Sequence, residues 1–454
     1  MPRDPSYGPG PGGAGVSLDP VARRALKGWL LLGVGGLAVA GVLALLLAVA
    51  RTPHIPAWFP WTEQDAFRKV LVSHVVFAFV LWFWAMLGAL AVLARGNGMV
   101  GLVGLAASGA GAALILVTAL GGGGAPALSN YIPVLLDPVF MAGLGLYALG
   151  VLLPVGHLLI HPPQRDGLLA PGIASAGALF ILALLCVALA WRALPPGADP
   201  YEHVDTLFWG AGHMLQFLYT ALALTGWQVL GRQAFGTPPL SIAAWRVLCA
   251  LLVVAAVPGP VFYMALTPAP DAIRNAFTGL YLYGLPIPIA AGAMATIIRV
   301  WNGPRDWRSP AFVGVVLSLA QFMFGGLLGI FADGTDTRTP AHYHAEIGGV
   351  NLGLMTLTFL VLLPALGRFG QSSRGVKWLL WLYGVGQAFA SLGLFVAGWE
   401  GVGRKVAGAA QGLDSTVKQG AMGLAGAGGV VAVAGGVLFI WIALSRLLAK
   451  QGKV

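Results

Sequence analysis

Long apolar runs follow one another along nearly the whole chain and limit what it can fold into. Of its 454 residues, 58% are hydrophobic and only 9% are charged. Soluble domains carry charge on about 25% of their residues, so this chain has too few charges to cover a water-exposed surface. A helix needs about 20 apolar residues to cross a bilayer, which is the typical length of these runs. The sequence therefore predicts an all-α integral membrane protein.

The apolar runs predict twelve membrane-spanning helices that use up almost all of the chain. Because nothing is left over for a soluble catalytic domain, any chemistry must lie within the bundle. Residues 1–26 are predicted to be a disordered cytoplasmic tail, and residues 27–450 a single twelve-helix membrane domain. The predicted spans are 27–50, 69–95, 98–121, 130–155, 170–193, 204–231, 239–268, 275–300, 309–331, 341–367, 375–398 and 424–449.

Basic residues are distributed unevenly between the two sides of this predicted bundle. If the N-terminus is cytoplasmic, the cytoplasmic loops and adjoining helix ends hold most of the 26 Lys and Arg but few of the 16 Asp and Glu. This is the positive-inside pattern, and it places both termini in the cytoplasm. The net charge of +10 is then explained by topology. Since the basic residues lie in short loops and not on one face, no nucleic-acid partner is expected.

Four histidines within predicted spans indicate a metal-dependent function. His342 and His344 open the tenth span, and residues two apart on a helix point about 200° apart. They cannot bind one metal together, but each can bind a group on its own side of the helix. With His74 and His213, they are predicted to lie in one layer in the outer half of the membrane. Neutral imidazoles in an apolar layer are the ligands that haem iron and copper use.

Several segments around these histidines are similar to one family. Ser73-His74-Val75, Trp209-Gly210-Ala211-Gly212-His213, Arg274-Asn275-Ala276-Phe277, Ala341-His342-Tyr343-His344 and Gly403-Arg404-Lys405 resemble motifs of subunit I of the haem-copper oxidase superfamily. That superfamily includes oxygen reductases and nitric oxide reductases, and its plan is twelve helices with a cytoplasmic N-terminus. The chain is identified as a divergent member of it.

The resemblance implies two haems and a role for each matched residue. His74 and His344 would bind a low-spin haem from both faces, and His342 a high-spin haem. His213 would bind a non-haem metal, iron or copper, and Arg404 and Lys405 would bind haem propionates. An external cytochrome c or another cytochrome subunit would donate electrons, with further subunits of a respiratory complex and membrane lipid as partners. The expected location is the cell inner (cytoplasmic) membrane.

The family's metal ligands are incomplete in this chain. The family places two adjacent histidines at the end of helix 7, where this chain has Phe262-Tyr263, and the sequence contains no His-His pair. The Glu and Tyr that follow the helix-6 histidine in many oxygen reductases are absent after His213. A metal held by His213 alone would bind weakly, because tight sites use three or four ligands.

Three other polar residues are candidates for the catalytic pocket. Glu346 lies one helical turn beyond His342 on the same face, and is predicted to be a metal ligand or a proton relay. Gln216 shares the face of His213 and is predicted to donate hydrogen bonds. Tyr263 lies where the family's histidine pair would be.

Two hypotheses of function remain open. In one, electrons pass from the bis-His haem to the haem at His342, which reduces nitric oxide or oxygen at an atypical dinuclear site. In the other, catalysis has been lost and the protein is a haem-bearing electron-transfer or scaffold subunit. A third interpretation, a transporter with structural histidines, predicts no haem absorption.

Overall fold

The structure is a computed structural model in which twelve long helices account for most of the chain. It describes residues 18–51, 53, 64–161, 167–194, 197–266, 270–332, 334–368 and 373–449. In chain order the helices are α1 Pro20–Arg51, α2 Gln64–Arg95, α3 Gly98–Leu120, α4 Pro138–Ile160, α5 Leu169–Ala193, α6 Pro200–Phe235, α7 Ile242–Ala265, α8 Pro270–Asn302, α9 Pro310–Gly329, α10 Arg338–Ala365, α11 Ser373–Trp399 and α12 Thr416–Leu448.

Four of these helices are locally irregular. Helix α7 is interrupted at Val257, ahead of Pro258, and α8 at Leu285, ahead of Pro286. Proline lacks the N–H that would continue the hydrogen-bond ladder, so each break begins where the sequence removes a donor. Helices α2 and α10 each contain a π-helical turn, at Val76–Leu81 and Thr358–Leu362 respectively.

The helices that carry the candidate histidines lie at the centre of the bundle. Most of the apolar part of α2 and α10 is buried, whereas only about a third or less of the apolar part of α1, α3, α8 and α12 is buried. Helix α10 packs against α6, α9 and α11, and α1 packs against α2 and α12. The outer helices therefore present the apolar surface that a bilayer requires, and the inner ones enclose the polar side chains.

Eleven helices in the described part of the chain are long and apolar enough to cross a membrane. The sixth predicted span, 204–231, is present as the 36-residue helix α6 but is not one of these eleven. Most of its residues are buried, including Gly, Thr, His and Gln. A helix enclosed by other helices does not need an apolar surface, so its composition carries a weaker membrane signal. The count of twelve spans stays a prediction.

The first helix begins earlier than expected. Residues 20–26, predicted as part of the disordered tail, belong to α1, so the boundary at residue 26 was wrong. The Asp19 carboxylate accepts hydrogen bonds from the amides of Val21 and Ala22, and Pro20 occupies the first helical position. An Asp cap followed by Pro stabilises a helix start. Residues 1–17 lie outside the described residues.

A short hairpin closes one end of the bundle. Strands β1, Ala125–Ala127, and β2, Val134–Leu136, pair antiparallel between α3 and α4. Asp137 then caps α4 through the amides of Val139 and Phe140, as expected for Asp before Pro. The end of the bundle that carries these strands is called the hairpin end below. The sequence-based topology predicts that it faces outward.

Candidate functional site

His74 lies on α2, two residues before the π-helical turn Val76–Leu81. Its Nδ1 is 3.0 Å from the carbonyl oxygen of Ala40 on α1. Because a carbonyl can only accept, Nδ1 must carry the proton and Nε2 is left with a free lone pair. Within this π turn, the carbonyl oxygen of Phe79 accepts a hydrogen bond from the Tyr219 hydroxyl of α6 at 2.8 Å. The ring is thus fixed in the tautomer that ligates through Nε2.

His344 lies on α10 close enough to His74 for the two rings to interact electrostatically. Within the described part of the chain, no hydrogen bond of the His344 ring is found. The adjacent Tyr343 ring is 5.2 Å from it, centre to centre. The structure therefore brings together the two histidines that the sequence assigned to one haem.

His342 faces the opposite direction, toward α9. Its Nδ1 is 2.8 Å from the carbonyl oxygen of Gly325, so this ring also keeps Nε2 as its free acceptor. That Nε2 lies 3.6 Å from Oε2 of Glu346, which is too far for a hydrogen bond. A Cβ on Gly329 would lie 2.6 Å from His342 Nδ1, and one on Gly325 would lie 2.5 Å from Glu346. Glycine on α9 is what allows the His342–Glu346 pair to pack there.

His213 has both ring nitrogens occupied. Its Nδ1 is 2.8 Å from the carbonyl oxygen of Trp209, one turn earlier on α6. Its Nε2 is 3.1 Å from the hydroxyl of Tyr131. Since Nδ1 donates to a carbonyl, Nε2 is the acceptor, and the Tyr131 hydroxyl donates to it. The nitrogen that would bind a metal is thus engaged by a phenol.

Tyr131 reaches His213 from the loop between β1 and β2. A Cβ on Gly212 would lie only 2.1 Å from Cγ of Tyr131, so the ring occupies the space left by that glycine. Burial raises the pKa of Tyr131 well above its usual value, and its hydroxyl keeps its proton. The ring also meets Trp209 edge-on at 5.5 Å.

Arg404 and Lys405 hold the same loop from the other side. The Arg404 guanidinium donates to Oδ1 of Asn130 at 2.8 Å, and Lys405 Nζ donates to the carbonyl oxygen of Leu128 at 2.6 Å. Burial, and next the Arg404 guanidinium, lower the pKa of Lys405 to about 8. Its backbone is left-handed, with φ of 62°, a conformation that costs a non-glycine residue about 1 kcal/mol or more. Arg404 also lies within electrostatic range of Tyr343, between the two α10 histidines.

Gln216 and Tyr263 are placed less directly at the site. Oε1 of Gln216 is buried without a hydrogen-bond partner among the described residues. The Tyr263 hydroxyl accepts from the Gly210 amide at 3.2 Å, and a Cβ on Gly210 would strike it. Tyr263 thus packs on α6 one turn before His213. Its catalytic role stays a prediction.

The donor set fits haem but does not fit a non-haem metal. His74 and His342 each present an Nε2 lone pair that a backbone carbonyl fixes through Nδ1, the arrangement typical of ligating histidines. Around His213, by contrast, Nε2 is taken by Tyr131. Among the described residues, no three His, Cys, Asp or Glu side chains converge as metal ligands would.

Two pocket residues were not predicted from the sequence. Tyr131 is 82 positions from His213 and lies in a hairpin that the hydropathy pattern treats as a loop. Tyr281 of α8 lies 6.4 Å from the His213 ring, centre to centre, and interacts electrostatically with Glu346. The one sequence signal for this contact was Gly212, next to His213. A glycine inside a helix leaves room for another group to approach closely.

Comparisons with known proteins agree with this architecture. The family model described as "Cytochrome C and Quinol oxidase polypeptide I" matches residues 24–431. An uncharacterised protein of Aquifex aeolicus is 30% identical over 361 residues, covering 75% of this chain and 86% of that protein. The uncharacterised protein RP382 of Rickettsia prowazekii is 24% identical over 505 residues, covering 93% and 96% respectively.

One similar solved structure is that of a haem-copper terminal oxidase dimer determined by cryo-electron microscopy. It has a TM-score of 0.71 at 16% identity, and the match covers 96% of this chain and 86% of that one. At this identity the match concerns the fold.

Proposed function

Because the chain belongs to the cytochrome c and quinol oxidase polypeptide I family, we propose that this multi-pass membrane redox protein carries two haems and delivers electrons to a small gas, nitric oxide or oxygen. The observation that carries this proposal is the pair of fixed imidazoles at His74 and His342. Each donates Nδ1–H to a backbone carbonyl of a neighbouring helix, Ala40 or Gly325, and keeps Nε2 for iron.

His74 and His344 would hold the low-spin haem between α2 and α10. Their rings are electrostatic neighbours in the bundle interior, and two axial histidines suit an electron-transfer haem. Arg404 and Arg51 lie within electrostatic range of Tyr343, the residue before His344. In this proposal, these cations would neutralise haem propionates.

His342 would hold the second, high-spin haem on the α9 side. Glu346 is its near neighbour, with Oε2 3.6 Å from Nε2. A carboxyl group beside the haem ligand can hold and release a proton, which gas reduction consumes. When bound, the two haems would supply one-electron transfer and an iron site for the gas.

The setting of this reaction follows from the proposed topology. Electrons would arrive at the hairpin end from an external cytochrome c or another cytochrome subunit. The positive-inside pattern supports an inner (cytoplasmic) membrane location with both termini in the cytoplasm. Further subunits of a respiratory complex and membrane lipid would cover the apolar faces.

No step is assigned to a non-haem metal. The Nε2 of His213 accepts a hydrogen bond from Tyr131, and Gln216 is a poor metal ligand. This same observation favours the second candidate function, a haem-bearing electron-transfer or scaffold subunit without gas chemistry. The two candidates differ in whether the haem at His342 binds a gas.

Gas consumption by the purified protein separates the two candidates. The enzyme hypothesis predicts that the protein, supplied with an artificial electron donor, consumes nitric oxide or oxygen. A nitric oxide electrode or an oxygen electrode measures this consumption. His342→Ala should abolish uptake, whereas the control His161→Ala, at an exposed position on the opposite end, should retain it. Haem-loaded protein that consumes neither gas would overturn the enzyme hypothesis and favour the electron-transfer subunit.

A further inference from the structure

One face of helix α11 is exposed where the helix begins, at the end of the bundle opposite the hairpin end. Its six residues recur every three or four positions, so they lie within roughly 120° of one another at about 100° per residue. Its apolar members have 37% to 60% of their surface exposed. The α11 face, as this set is called below, consists of Arg374, Lys377, Trp378, Trp381, Val385 and Phe389.

The chemistry of the α11 face changes in a fixed order along the helix. Two cations stand in the first turns, two tryptophans follow, and an aliphatic and a phenyl side chain continue toward the middle of the helix. The face spans about 22 Å, at about 1.5 Å per residue, which is about half the thickness of a bilayer with its headgroups. A phospholipid has the same order, from a charged phosphate through an interfacial region that favours Trp to hydrocarbon. The face therefore matches one lipid molecule in length and in polarity.

The loop between α8 and α9 lies against the first turns of the α11 face. The Trp307 ring stacks on the Trp381 ring, with 6.0 Å between the ring centres and 28° between the planes. Lys377 Nζ approaches the carbonyl oxygen of Trp307 to 3.5 Å. The next residue in the loop, Arg308, is exposed. The loop thus brings an exposed ring and a further cation to the charged end of the face.

The same loop holds a second pairing of a cation with an aromatic ring. The Arg305 guanidinium lies 5.3 Å from the centre of the Trp301 ring and donates to the Trp301 carbonyl oxygen at 2.9 Å. The carboxylate of Asp306 accepts a hydrogen bond from the Arg308 amide at 2.9 Å. Residues 301–309 and 373–381 together contain four Lys and Arg, four Trp and this one acid. The surface therefore attracts anions and carries the residue types of a membrane interface.

We propose that the α11 face and the loop 301–309 form a binding site for an anionic phospholipid in the leaflet opposite the hairpin end. The cations would bind the headgroup phosphate, and an acyl chain would lie along Trp381, Val385 and Phe389. Lys and Arg near the surface attract lipids with net negative charge. A zwitterionic lipid carries its own cation beside the phosphate, so it should bind more weakly. This site does not depend on the proposed function, because it contains no candidate haem ligand.

Topology alone is the competing explanation, since the positive-inside pattern also places cations at this end. Helix α1 offers a matched comparison. Arg24 and Lys27 have the same spacing as Arg374 and Lys377, lie at the same end of the bundle and show the same degrees of exposure. The nearby Trp29, however, is fully buried. Topology predicts that the two pairs are equivalent, whereas a lipid site predicts that only the α11 pair binds a headgroup.

The test uses full-length protein freed of lipid in detergent, with native mass spectrometry to count bound lipid. Phosphatidylglycerol and phosphatidylcholine with identical acyl chains are added separately. Each cation near an anionic lipid contributes a factor of about five to affinity. We therefore expect Arg374→Gln/Lys377→Gln to bind its first phosphatidylglycerol roughly 30-fold more weakly than the wild type, and Arg24→Gln/Lys27→Gln to bind it as the wild type does.

Two further measurements sharpen this test. Trp378→Leu keeps every charge but removes an exposed ring from the face, and it should also weaken phosphatidylglycerol binding. The melting temperature of each variant in lipid-free detergent should equal that of the wild type, because all the substituted side chains are at least partly exposed. A loss of lipid binding by a variant with an unchanged melting temperature is then a loss of the site and not of the fold.

Four results would overturn the proposal. The two double variants could weaken phosphatidylglycerol binding equally, which would leave only general electrostatics. Phosphatidylcholine could bind as tightly as phosphatidylglycerol, which would leave only an apolar contact. Millimolar inorganic phosphate could displace the bound phosphatidylglycerol, which would assign the cations to a free anion. The wild type could retain no phosphatidylglycerol, which would leave the face to a protein partner.

Discussion

Replacing Gly212 with Ala should displace Tyr131 from His213. The new Cβ would lie 2.1 Å from Cγ and 2.3 Å from Cβ of Tyr131. Carbon atoms in ordinary contact are about 3.5 Å apart, so the ring must move by roughly 1.4 Å. The hydrogen bond to His213 Nε2, now 3.1 Å, would lengthen to roughly 4.5 Å and be lost.

The energetic effect of Gly212→Ala has three parts. Overpacking costs about 1–3 kcal/mol, and the lost buried hydrogen bond costs about 1 kcal/mol. The added methyl returns about 0.5–1 kcal/mol, because Ala favours a helix over Gly. The net expectation is a destabilisation of roughly 1–3 kcal/mol. The apparent free energy of unfolding in mixed detergent micelles, titrated with a denaturing detergent, measures it.

Gly109 on α3 supplies the matched control, because a Cβ there would meet no atom within 4 Å. Gly109→Ala should leave stability unchanged or raise it slightly. A second control combines Gly212→Ala with Tyr131→Ala, which removes the ring that the methyl would strike, so the two losses should not add. If Gly212→Ala is as stable as Gly109→Ala, the packing of Tyr131 against α6 is not as described.

Three further changes test other parts of the site. His74→Ala should remove the low-spin haem signal in electron paramagnetic resonance while the carbon monoxide-reactive haem remains, and an unchanged low-spin signal would refute its ligand role. Lys405 has a pKa of about 8, below its ordinary 10.5, so the folded protein releases this proton first and gains stability as pH rises from about 8 to 10. The melting temperature of the wild type should therefore rise relative to that of Lys405→Met over that range, and parallel pH profiles of the two proteins would contradict the assignment. Asn351→Leu removes the hydrogen bonds of Asn351 with Trp82 and Tyr383, at 2.8 and 2.7 Å. It should lower the free energy of unfolding by roughly 2–4 kcal/mol. A loss under about 1 kcal/mol would refute the stabilising role of these two hydrogen bonds.

The directions of the candidate haem ligands were predictable because their signal is local. The spacing of His342 and His344 fixes their opposite directions on a helix, whatever surrounds them. The apolar runs predict the helices in the same way, and among the described residues eleven helices are recognisable as candidate spans by length and composition alone. The start of α1 could have been predicted too, since Asp19-Pro20 is a capping signal that the hydropathy pattern does not register.

The partner of His213 was not predictable, because the contact is set by tertiary packing. Nothing near Tyr131 in sequence indicates that the hairpin folds back onto α6. The same holds for Arg404 and Lys405, where the resemblance suggested propionates and the structure places Leu128 and Asn130 against them. In each case a loop between spans supplies the contact, and hydropathy carries no information about loop direction.

The most direct test of the proposed two-haem site is the absorption spectrum of the reduced, purified protein with and without carbon monoxide, together with the haem content per chain. We expect two haems per chain, with carbon monoxide shifting the Soret band of one, and loss of that shift in His342→Ala. A protein without Soret absorption, or one whose two haems both fail to bind carbon monoxide, would contradict the assignment of His342 to a gas-reactive haem.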